Sequence, residues 1–370
     1  WSLTKLLWIA ECQMLAGDLA GHPPIELLAG FRQFTGGKFI MAIRLAIIGT
    51  GSVARRSYLP ALASHDDVAL TYFNRTTEKA DACAAEFGGK VHGSIESLLD
   101  AQPDAVMVLT SEMARADVLD VLLPRKPKRI FCEKPLVAVA GQANVTEQDF
   151  LRARDIVKKA EAANIELAMV FNYRFFDYVT RARAAAAERN FGAVTEVSAI
   201  VHYACWSHCI DLIHHFAGPV SKVTAMAGET SHGEGGFKAC DLGGVFRTAG
   251  GATGTILGTS GISFDSPLFD LTIAFERGRV RLVGLDEQAQ IIDYAANHHE
   301  HLTLTASQSR WDPYKRSFAK SVAAYLQSIR DDAPPPVPGR AGLQELQFEA
   351  ALRRSAAEAR VVDVEKELAI

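Results

Sequence analysis

The sequence predicts an α/β protein in two parts, a doubly wound parallel sheet followed by a C-terminal α+β domain with an open, mostly antiparallel sheet. An apolar segment over 43–48 opens into a turn that contains glycines, and short apolar segments then alternate with helix-length segments up to residue 171. This alternation is typical of a parallel sheet with helices on both faces. From residue 172, strand-like segments follow one another with little helix between them, which is typical of antiparallel sheets.

The first domain is placed at 41–171 by the order of its segments. Its strands are predicted at 43–48, 68–73, 105–109, 129–132 and 165–171. A helix is predicted over 57–64, and a later one ends at Gly88-Gly89. Thr146, with Asp149 three residues later, predicts a capped helix that runs to Ala163.

The second domain is placed at 172–370. Its strands are predicted at 194–203, 220–227, 242–247, 253–259, 269–275 and 279–283. The Arg277-Gly278 pair predicts a hairpin turn between the last two strands. Two closing helices, over 314–330 and 341–358, flank the break at Pro334-Pro335-Pro336.

Residues 1–40 are interpreted as an extension or cloning remnant. The chain begins at Trp1, and Met41, directly before the first predicted strand, is typical of a natural start. Charged residues and a pair of prolines interrupt the mildly apolar segment 3–29, which argues against a secretory signal. The alternative is an arm that packs on a partner subunit.

The composition favours a small-molecule partner. The 370 residues are 48% hydrophobic and 22% charged, with a formal net charge of −4 and no dense block of Lys and Arg. These values argue against binding to nucleic acid or to an anionic membrane, and no apolar segment has the length of a membrane span. Six irregularly spaced cysteines are typical of reduced thiols in a cytoplasmic protein.

The first turn, Gly49-Thr50-Gly51-Ser52-Val53-Ala54, predicts a dinucleotide site. Two glycines let the backbone approach a pyrophosphate, a small third residue allows close helix packing, and the helix N-terminus presents N–H groups to the anion. Residues 49–53 are therefore candidate cofactor contacts of a Rossmann domain. The alternative is an ordinary turn from strand to helix.

The end of the second strand indicates which cofactor is bound. An acid that would hold the ribose 2′-hydroxyl of NAD is absent there, and Asn74-Arg75-Thr76 occupies the position with Lys79 one turn later. A neutral hydrogen-bonding group beside positive charge suits a 2′-phosphate. We therefore expect Asn74 and Arg75 to bind NADP, with NAD as the alternative.

Five motifs in sequence order resemble the Gfo/Idh/MocA oxidoreductase family, which includes glucose-fructose oxidoreductase and inositol dehydrogenases. They are Gly49-Thr50-Gly51, Glu133-Lys134-Pro135-Leu136, Asn172-Tyr173-Arg174-Phe175, His208-Cys209-Ile210-Asp211-Leu212 and a helix that begins near Gly342-Leu343. The resemblance runs from about Met41 to Val364. It implies hydride transfer between NAD(P) and a secondary alcohol or ketone of a sugar or cyclitol, and a homo-oligomer formed through the C-terminal sheet.

The resemblance also assigns roles to residues. Lys134 matches the lysine that lies beside the nicotinamide and stabilises the alkoxide-like oxygen. Glu133 is expected to position either that lysine or the cofactor amide, so Glu133 and Lys134 are both candidate cofactor contacts, and Pro135 is expected to follow through a cis peptide. His208 matches the histidine that exchanges a proton with the substrate hydroxyl, and Asp211 is expected to orient it from the same helical face. Thr110, after the strand over 105–109, is added to the cofactor contacts.

Asn172 and Arg174 match the motif that starts the second domain, where either substrate contact or hydrogen bonding at the domain junction is expected. The chain departs from the family at Ala204, where relatives with a full catalytic triad carry an aspartate. His202 or Tyr203 is the candidate replacement, with strand packing as the alternative for Tyr203.

Other interpretations use the same residues differently. Cys205, His208 and Cys209 have a spacing compatible with zinc, but a fourth ligand is not evident, and we predict no metal. Two further function classes are a hydrolase or lyase that uses transient oxidation, and a non-catalytic NADP-binding regulatory protein, which the alanine at 204 makes plausible.

Overall fold

A computed structural model describes residues 33–35, 38–40 and 42–370. In the first unit, β1 (Gln33–Thr35) pairs antiparallel with β2 (Lys38–Ile40). The rest of the predicted extension and Met41 lie outside the described residues. The chain from Ile43 to Ile370 forms a second compact unit, which contains both predicted domains.

The N-terminal sheet of this unit has six parallel strands in the order β5-β4-β3-β6-β7-β8. The strands are β3 (Ile43–Ile48), β4 (Val68–Phe73), β5 (Lys90–Val91), β6 (Ala105–Val108), β7 (Arg129–Cys132) and β8 (Glu166–Met169). The predicted doubly wound sheet is confirmed. Because the chain leaves β3 towards one side and returns at β6 on the other, the carboxyl ends of these two strands open a crevice.

Helices connect these strands. A π-helical segment over Ala54–Tyr58 continues into α1 (Leu59–Ala63), and α2 (Thr77–Phe87), α3 (Ile95–Asp100), α4 (Glu112–Leu122) and α5 (Glu147–Ala162) follow. The predicted cap of α5 is confirmed, since the Thr146 hydroxyl accepts from the Asp149 backbone N–H and the Asp149 carboxylate accepts from the Thr146 backbone N–H at 2.7 Å.

The C-terminal sheet has nine strands in the order β16-β15-β14-β13-β9-β12-β11-β10-β17. They are β9 (Val194–His202), β10 (Val220–His232), β11 (Ala239–Thr248), β12 (Thr253–Thr259), β13 (Phe269–Phe275), β14 (Gly278–Val283), β15 (Gln288–Asp293), β16 (His298–Thr303) and β17 (Val362–Asp363). All neighbouring pairs are antiparallel except β9 with β12. The predicted hairpin at Arg277-Gly278 is confirmed, because Phe275 lies opposite Gly278.

Five helices complete the second half of the chain. They are α6 (Asp177–Glu188), α7 (Trp206–Ala217), α8 (Trp311–Arg330), α9 (Gly339–Glu358) and α10 (Val364–Glu367). Helix α8 returns to the N-terminal sheet, where Phe318 and Tyr325 share a core with Leu45 and Phe131. One face of the Rossmann sheet is therefore covered in part by residues from the far end of the chain.

Helix α9 packs against α5, α7 and β10. Within the described residues, no helix is both long enough and apolar enough to cross a membrane.

Candidate active site

The glycine turn lies where β3 and β6 end side by side. Gly49 has a φ of +95°, and a Cβ atom at this residue would lie 2.7 Å from the Thr110 backbone nitrogen. Only glycine fits both conditions. A Cβ at Gly51 would meet nothing within 4 Å, so this part of the turn borders open space.

Asn74 stabilises the turn from the end of β4. Its side-chain oxygen accepts from the Thr50 backbone N–H at 3.1 Å, and its amide nitrogen donates to the Thr76 carbonyl at 2.9 Å. These bonds hold the turn against the start of α2. Arg75, the next residue, is exposed.

A groove of about 480 Å³ lies between the glycine turn and α2. Arg55, Arg56 and Lys79 line it together with Glu78. Arg55 is paired with Glu86 at 2.6 Å. The groove therefore brings several cations to the end of β4, where a cofactor's adenosine ribose would bind.

Two buried hydroxyls beside the turn have no partner in residues 42–370. They are the side-chain oxygens of Thr50 and Thr110. Buried polar atoms are ordinarily hydrogen-bonded. Together with the room above Gly51, these orphaned hydroxyls fit the polar phosphates and ribose of a dinucleotide.

A cavity of about 370 Å³ continues from the turn towards the C-terminal half of the chain. It brings together many of the residues predicted from the sequence. Those that line it are Gly51, Ser52, Val53, Thr110, Glu133, Lys134 and His208.

Lys134 is held at the end of β7 by both its backbone and its side chain. The Lys134 ammonium donates to the Gln142 side-chain oxygen at 2.8 Å. The Glu133 carboxylate accepts from the Lys134 backbone N–H and from the Tyr58 hydroxyl, each at 2.7 Å. The expected cis peptide before Pro135 is present. The lysine is therefore positioned before any ligand binds.

Arg115 lies beneath this part of the cavity and is buried. It donates to the Thr110 carbonyl at 2.6 Å and to the Pro135 carbonyl. Burial lowers the pKa of Arg115, and the nearby Glu133 carboxylate opposes that effect. Arg115 thus connects the segment after β6 to the segment after β7.

His208 lies in the first turn of α7 with its ring stacked on Tyr173 at a centroid distance of 3.9 Å. The side chain is buried, and Nδ1 has no partner among residues 42–370. Burial, with a smaller contribution from the charge of Lys134, holds the pKa of His208 well below its usual value. This shift favours the neutral imidazole.

The expectation that Asp211 orients His208 is wrong. The Asp211 carboxylate accepts from Arg174 Nε at 2.7 Å and Nη2 at 2.5 Å. The spacing along α7 was consistent with a His–Asp contact, but Arg174 of the preceding segment binds the carboxylate in a bidentate manner. Neither Arg174 nor Asp211 lines the cavity beside Lys134.

Two other candidate substrate contacts also lie outside the cavity. Asn172 is fully buried and donates to the Ser317 hydroxyl of α8 at 2.7 Å, which is a hydrogen bond at the domain junction. Tyr203 is buried against Trp206 and donates to the Cys240 carbonyl at 2.8 Å. Because both side chains are committed to the protein interior, the structure does not support their assignment to substrate binding.

Several residues of the site were missed by the sequence analysis. They are Tyr58, Arg115, Gln142 and Tyr314. Arg115 could have been recognised from the sequence, because it is an arginine among the buried positions of α4. Gln142 lies in an irregular segment and Tyr314 comes from α8, so neither has a local pattern that points to this cavity.

The thiols near His208 are buried, and Cys205 contacts the Tyr173 hydroxyl at 3.1 Å. In the part of the chain that the structure describes, no three His, Cys, Asp or Glu side chains are placed to hold a metal ion.

Family models match most of the chain. The model for an oxidoreductase family with an NAD-binding Rossmann fold matches residues 43–161, and the model for the C-terminal α/β domain of that family matches residues 196–364.

Two curated dehydrogenases are similar over shorter segments. Glucose-6-phosphate 3-dehydrogenase from Bacillus subtilis is 24% identical over 161 residues, which are 43% of this chain and 42% of that protein. D-xylose 1-dehydrogenase (NADP(+)) 2 from Haloferax volcanii is 30% identical over 154 residues, or 41% of this chain and 44% of that protein. The chain thus matches less than half the length of these relatives.

Solved structures share the fold over most of this chain. An oxidoreductase from Agrobacterium radiobacter in complex with NAD+, L-tartaric acid and magnesium has a TM-score of 0.73 at 17% identity, covering 88% of this chain and 99% of that one. The WlbA dehydrogenase from Bordetella pertussis in complex with NADH and UDP-GlcNAcA has a TM-score of 0.68 at 20% identity, covering 87% and 97%. At these identities the likeness concerns the fold.

Proposed function

We propose that this chain, which belongs to the Gfo/Idh/MocA oxidoreductase family, is a dehydrogenase or reductase. It moves hydride between a nicotinamide cofactor and a secondary alcohol or ketone, and the substrate is a sugar-like or cyclitol-like compound. The observation that carries the proposal is the single cavity lined by the glycine turn, Lys134 and His208. The names of the two curated dehydrogenases, which act on a sugar phosphate and a sugar, support this substrate class.

Residues on both sides of the cavity have distinct roles in this proposal. The turn over 49–53, with Thr110, holds the dinucleotide, which supplies the hydride acceptor or donor. Lys134 stabilises negative charge on the reacting oxygen, since its ammonium is fixed by Gln142 at the cavity wall. His208, neutral in its buried position, takes the hydroxyl proton during oxidation and returns one during reduction.

NADP is the cofactor we favour over NAD. The exposed Arg75 and the cations of the adjacent groove, Arg56 and Lys79, lie at the end of β4 and suit a 2′-phosphate. The NADP(+) specificity in the name of the Haloferax relative is consistent with this preference, whereas the family description names NAD.

A substrate screen with a lysine variant tests the proposal. Purified protein is mixed with NADP or NAD and with xylose, glucose 6-phosphate or inositol, and formation of reduced nicotinamide is followed by absorbance. Lys134→Ala should lower kcat about 100-fold or more, because it removes charge stabilisation in the transition state while the fold is retained. Lys158→Ala removes an exposed lysine of α5 and should leave kcat unchanged.

Full activity in Lys134→Ala would contradict the role given to this lysine. Substrate conversion without net cofactor reduction would indicate the hydrolase or lyase class instead. Cofactor binding without conversion of any compound would favour the regulatory class.

A further inference from the structure

Tyr314, in the first turn of α8, faces the same cavity as Lys134 and His208. Its ring is half-buried. Within residues 42–370, its hydroxyl makes no hydrogen bond, and it is not enclosed in the protein interior. Tyr314 therefore presents an uncommitted phenol to the space where a substrate would lie.

Several polar groups around Lys134 are already in use. Glu133 accepts from Tyr58 and from the Lys134 backbone. Arg115 donates to two backbone carbonyls, and the Lys134 ammonium is bonded to Gln142. Of these groups near Lys134, none is a free donor, whereas the Tyr314 hydroxyl is.

The phenol ring is fixed by aromatic neighbours. It packs edge-to-face against Phe318 at 5.1 Å, Trp311 at 5.8 Å and Tyr173 at 6.4 Å between ring centroids. Tyr173 in turn stacks on His208. These contacts fix the position of Tyr314 relative to His208, which is the requirement for a donor that acts without reorganisation.

The surroundings of Tyr314 keep its phenol protonated. Burial raises its pKa above the ordinary value, and the negative charge of Glu133 and the nearby Cys205 thiol act in the same direction. The Tyr314 hydroxyl is therefore a hydrogen-bond donor at neutral pH.

We propose that Tyr314 is a catalytic residue that donates a hydrogen bond to the reacting oxygen of the substrate and keeps its proton throughout the reaction. In oxidation, the carbinol carbon loses a hydride to the nicotinamide, the hydroxyl proton passes to His208, and a carbonyl forms. The phenol stabilises the negative charge that develops on that oxygen, beside Lys134. The inference rests on the function proposed above.

Tyr314→Phe is the first test, because it keeps the aromatic packing and removes only the hydroxyl. We expect kcat to fall about 100-fold, as for the loss of one donor to a developing oxyanion. The affinity for NADPH and the pH dependence of kcat should stay as in the wild type, since Tyr314 transfers no proton. Tyr325→Phe is the matched control, because this tyrosine lies on the same helix with its hydroxyl buried in the core, and its loss should leave kcat unchanged.

Sugar binding provides a second measurement that needs no turnover. NADPH fluorescence of the loaded protein is titrated with xylose or inositol, and Tyr314→Phe should weaken the sugar affinity at least several-fold. Equal kcat and equal sugar affinity in Tyr314→Phe and wild type would overturn the proposal for Tyr314, whatever the wild-type activity. If the wild-type protein binds sugar without turning it over, and the Tyr314→Phe variant binds the sugar more weakly, the proposed function is overturned while the contact with Tyr314 is supported. Absence of any sugar binding and turnover in the wild type would overturn both.

Discussion

At the end of β4, two adjacent residues face different surroundings. Asn74 bonds to the backbone on either side, at Thr50 and Thr76, whereas Arg75 is exposed and is not among the residues that line the groove of Lys79. Both residues were predicted from the sequence to contact the cofactor. The structure gives Asn74 a clear role in holding the turn. In the proposal for NADP, the nearby cations are therefore the groups that recognise the 2′-phosphate.

Arg75→Ala should therefore weaken NADP binding roughly 10- to 100-fold and affect NAD much less, because one charge-assisted hydrogen bond to a phosphate is lost. Titration of protein fluorescence with each dinucleotide gives both dissociation constants. Arg125→Ala is the control, since Arg125 precedes β7, three strands away from β4, and pairs with Asp100. An equal loss for NADP and NAD would refute the assignment of Arg75 to the 2′-phosphate.

Residue motifs predicted which side chains meet, but not all their partners. Lys134 and His208 lie far apart in sequence and line one cavity, as their motifs implied. The i, i+3 spacing of His208 and Asp211 shows only that they share a helical face. Which group binds Asp211 depends on how the segment over Asn172–Phe175 packs against α7, and this packing is not encoded in the spacing.

Among the elements, α9 carries two buried carboxyls in successive turns. Glu345 has no exposed surface, and neither of its oxygens has a partner within the described unit. Glu349 bonds through one oxygen to Arg353 at 2.9 Å. Burial raises the pKa of Glu345 well above its usual value, and the neighbouring Glu349 adds to the effect.

The raised pKa makes the stability of the fold dependent on pH. Above the ordinary pKa of a glutamate, the unfolded chain loses the Glu345 proton while the folded chain retains it, so stability falls as pH rises towards the folded pKa. Glu345→Gln removes this titration. In thermal melts at each pH, the Tm of Glu345→Gln minus the Tm of the wild type should increase as pH rises from about 5 to about 8. Glu365→Gln, an exposed glutamate of α10, should show no such trend. A difference between Glu345→Gln and wild type that is constant with pH would contradict the raised pKa.

Strands were predicted where apolar residues alternate and missed where they do not. β13 alternates between buried and half-buried residues and was predicted at its observed bounds. β16 has the sequence His-His-Glu-His-Leu-Thr and pairs only with β15 at the edge of the sheet, so it needs little apolar surface. β15 is polar at its start and was also missed. Edge pairing is a property of the assembled sheet and leaves a weak local pattern.

For the whole molecule, the outer face of the C-terminal sheet supports the proposed homo-oligomer. The register places Ile200 opposite Leu257 and Met226 opposite Gly243, so these side chains form one row across four strands. Ile200, Met226 and Leu257 are 51%, 79% and 39% exposed. An exposed apolar row on an open sheet is typical of a surface that binds another protein.

The double substitution Ile200→Asp with Leu257→Asp should convert the proposed oligomer into monomers, because charges would be buried at the contact. Light scattering at micromolar concentration measures the mass. Val121→Asp alters an exposed apolar residue of α4 outside this face and should leave the mass unchanged. A monomeric wild type, or a double variant with unchanged mass, would refute assembly through this sheet.

Helix α8 has a consequence for how the chain reaches its fold during synthesis. The apolar face of the N-terminal sheet that contains Leu45 and Phe131 is covered in part by Leu59 and Leu62 of α1 and in part by Phe318 and Tyr325 of α8. When residues 43–171 leave the ribosome, the share that α8 contributes is still missing, because that helix is translated more than a hundred residues later. We infer that the nascent sheet stays incompletely packed until α8 emerges.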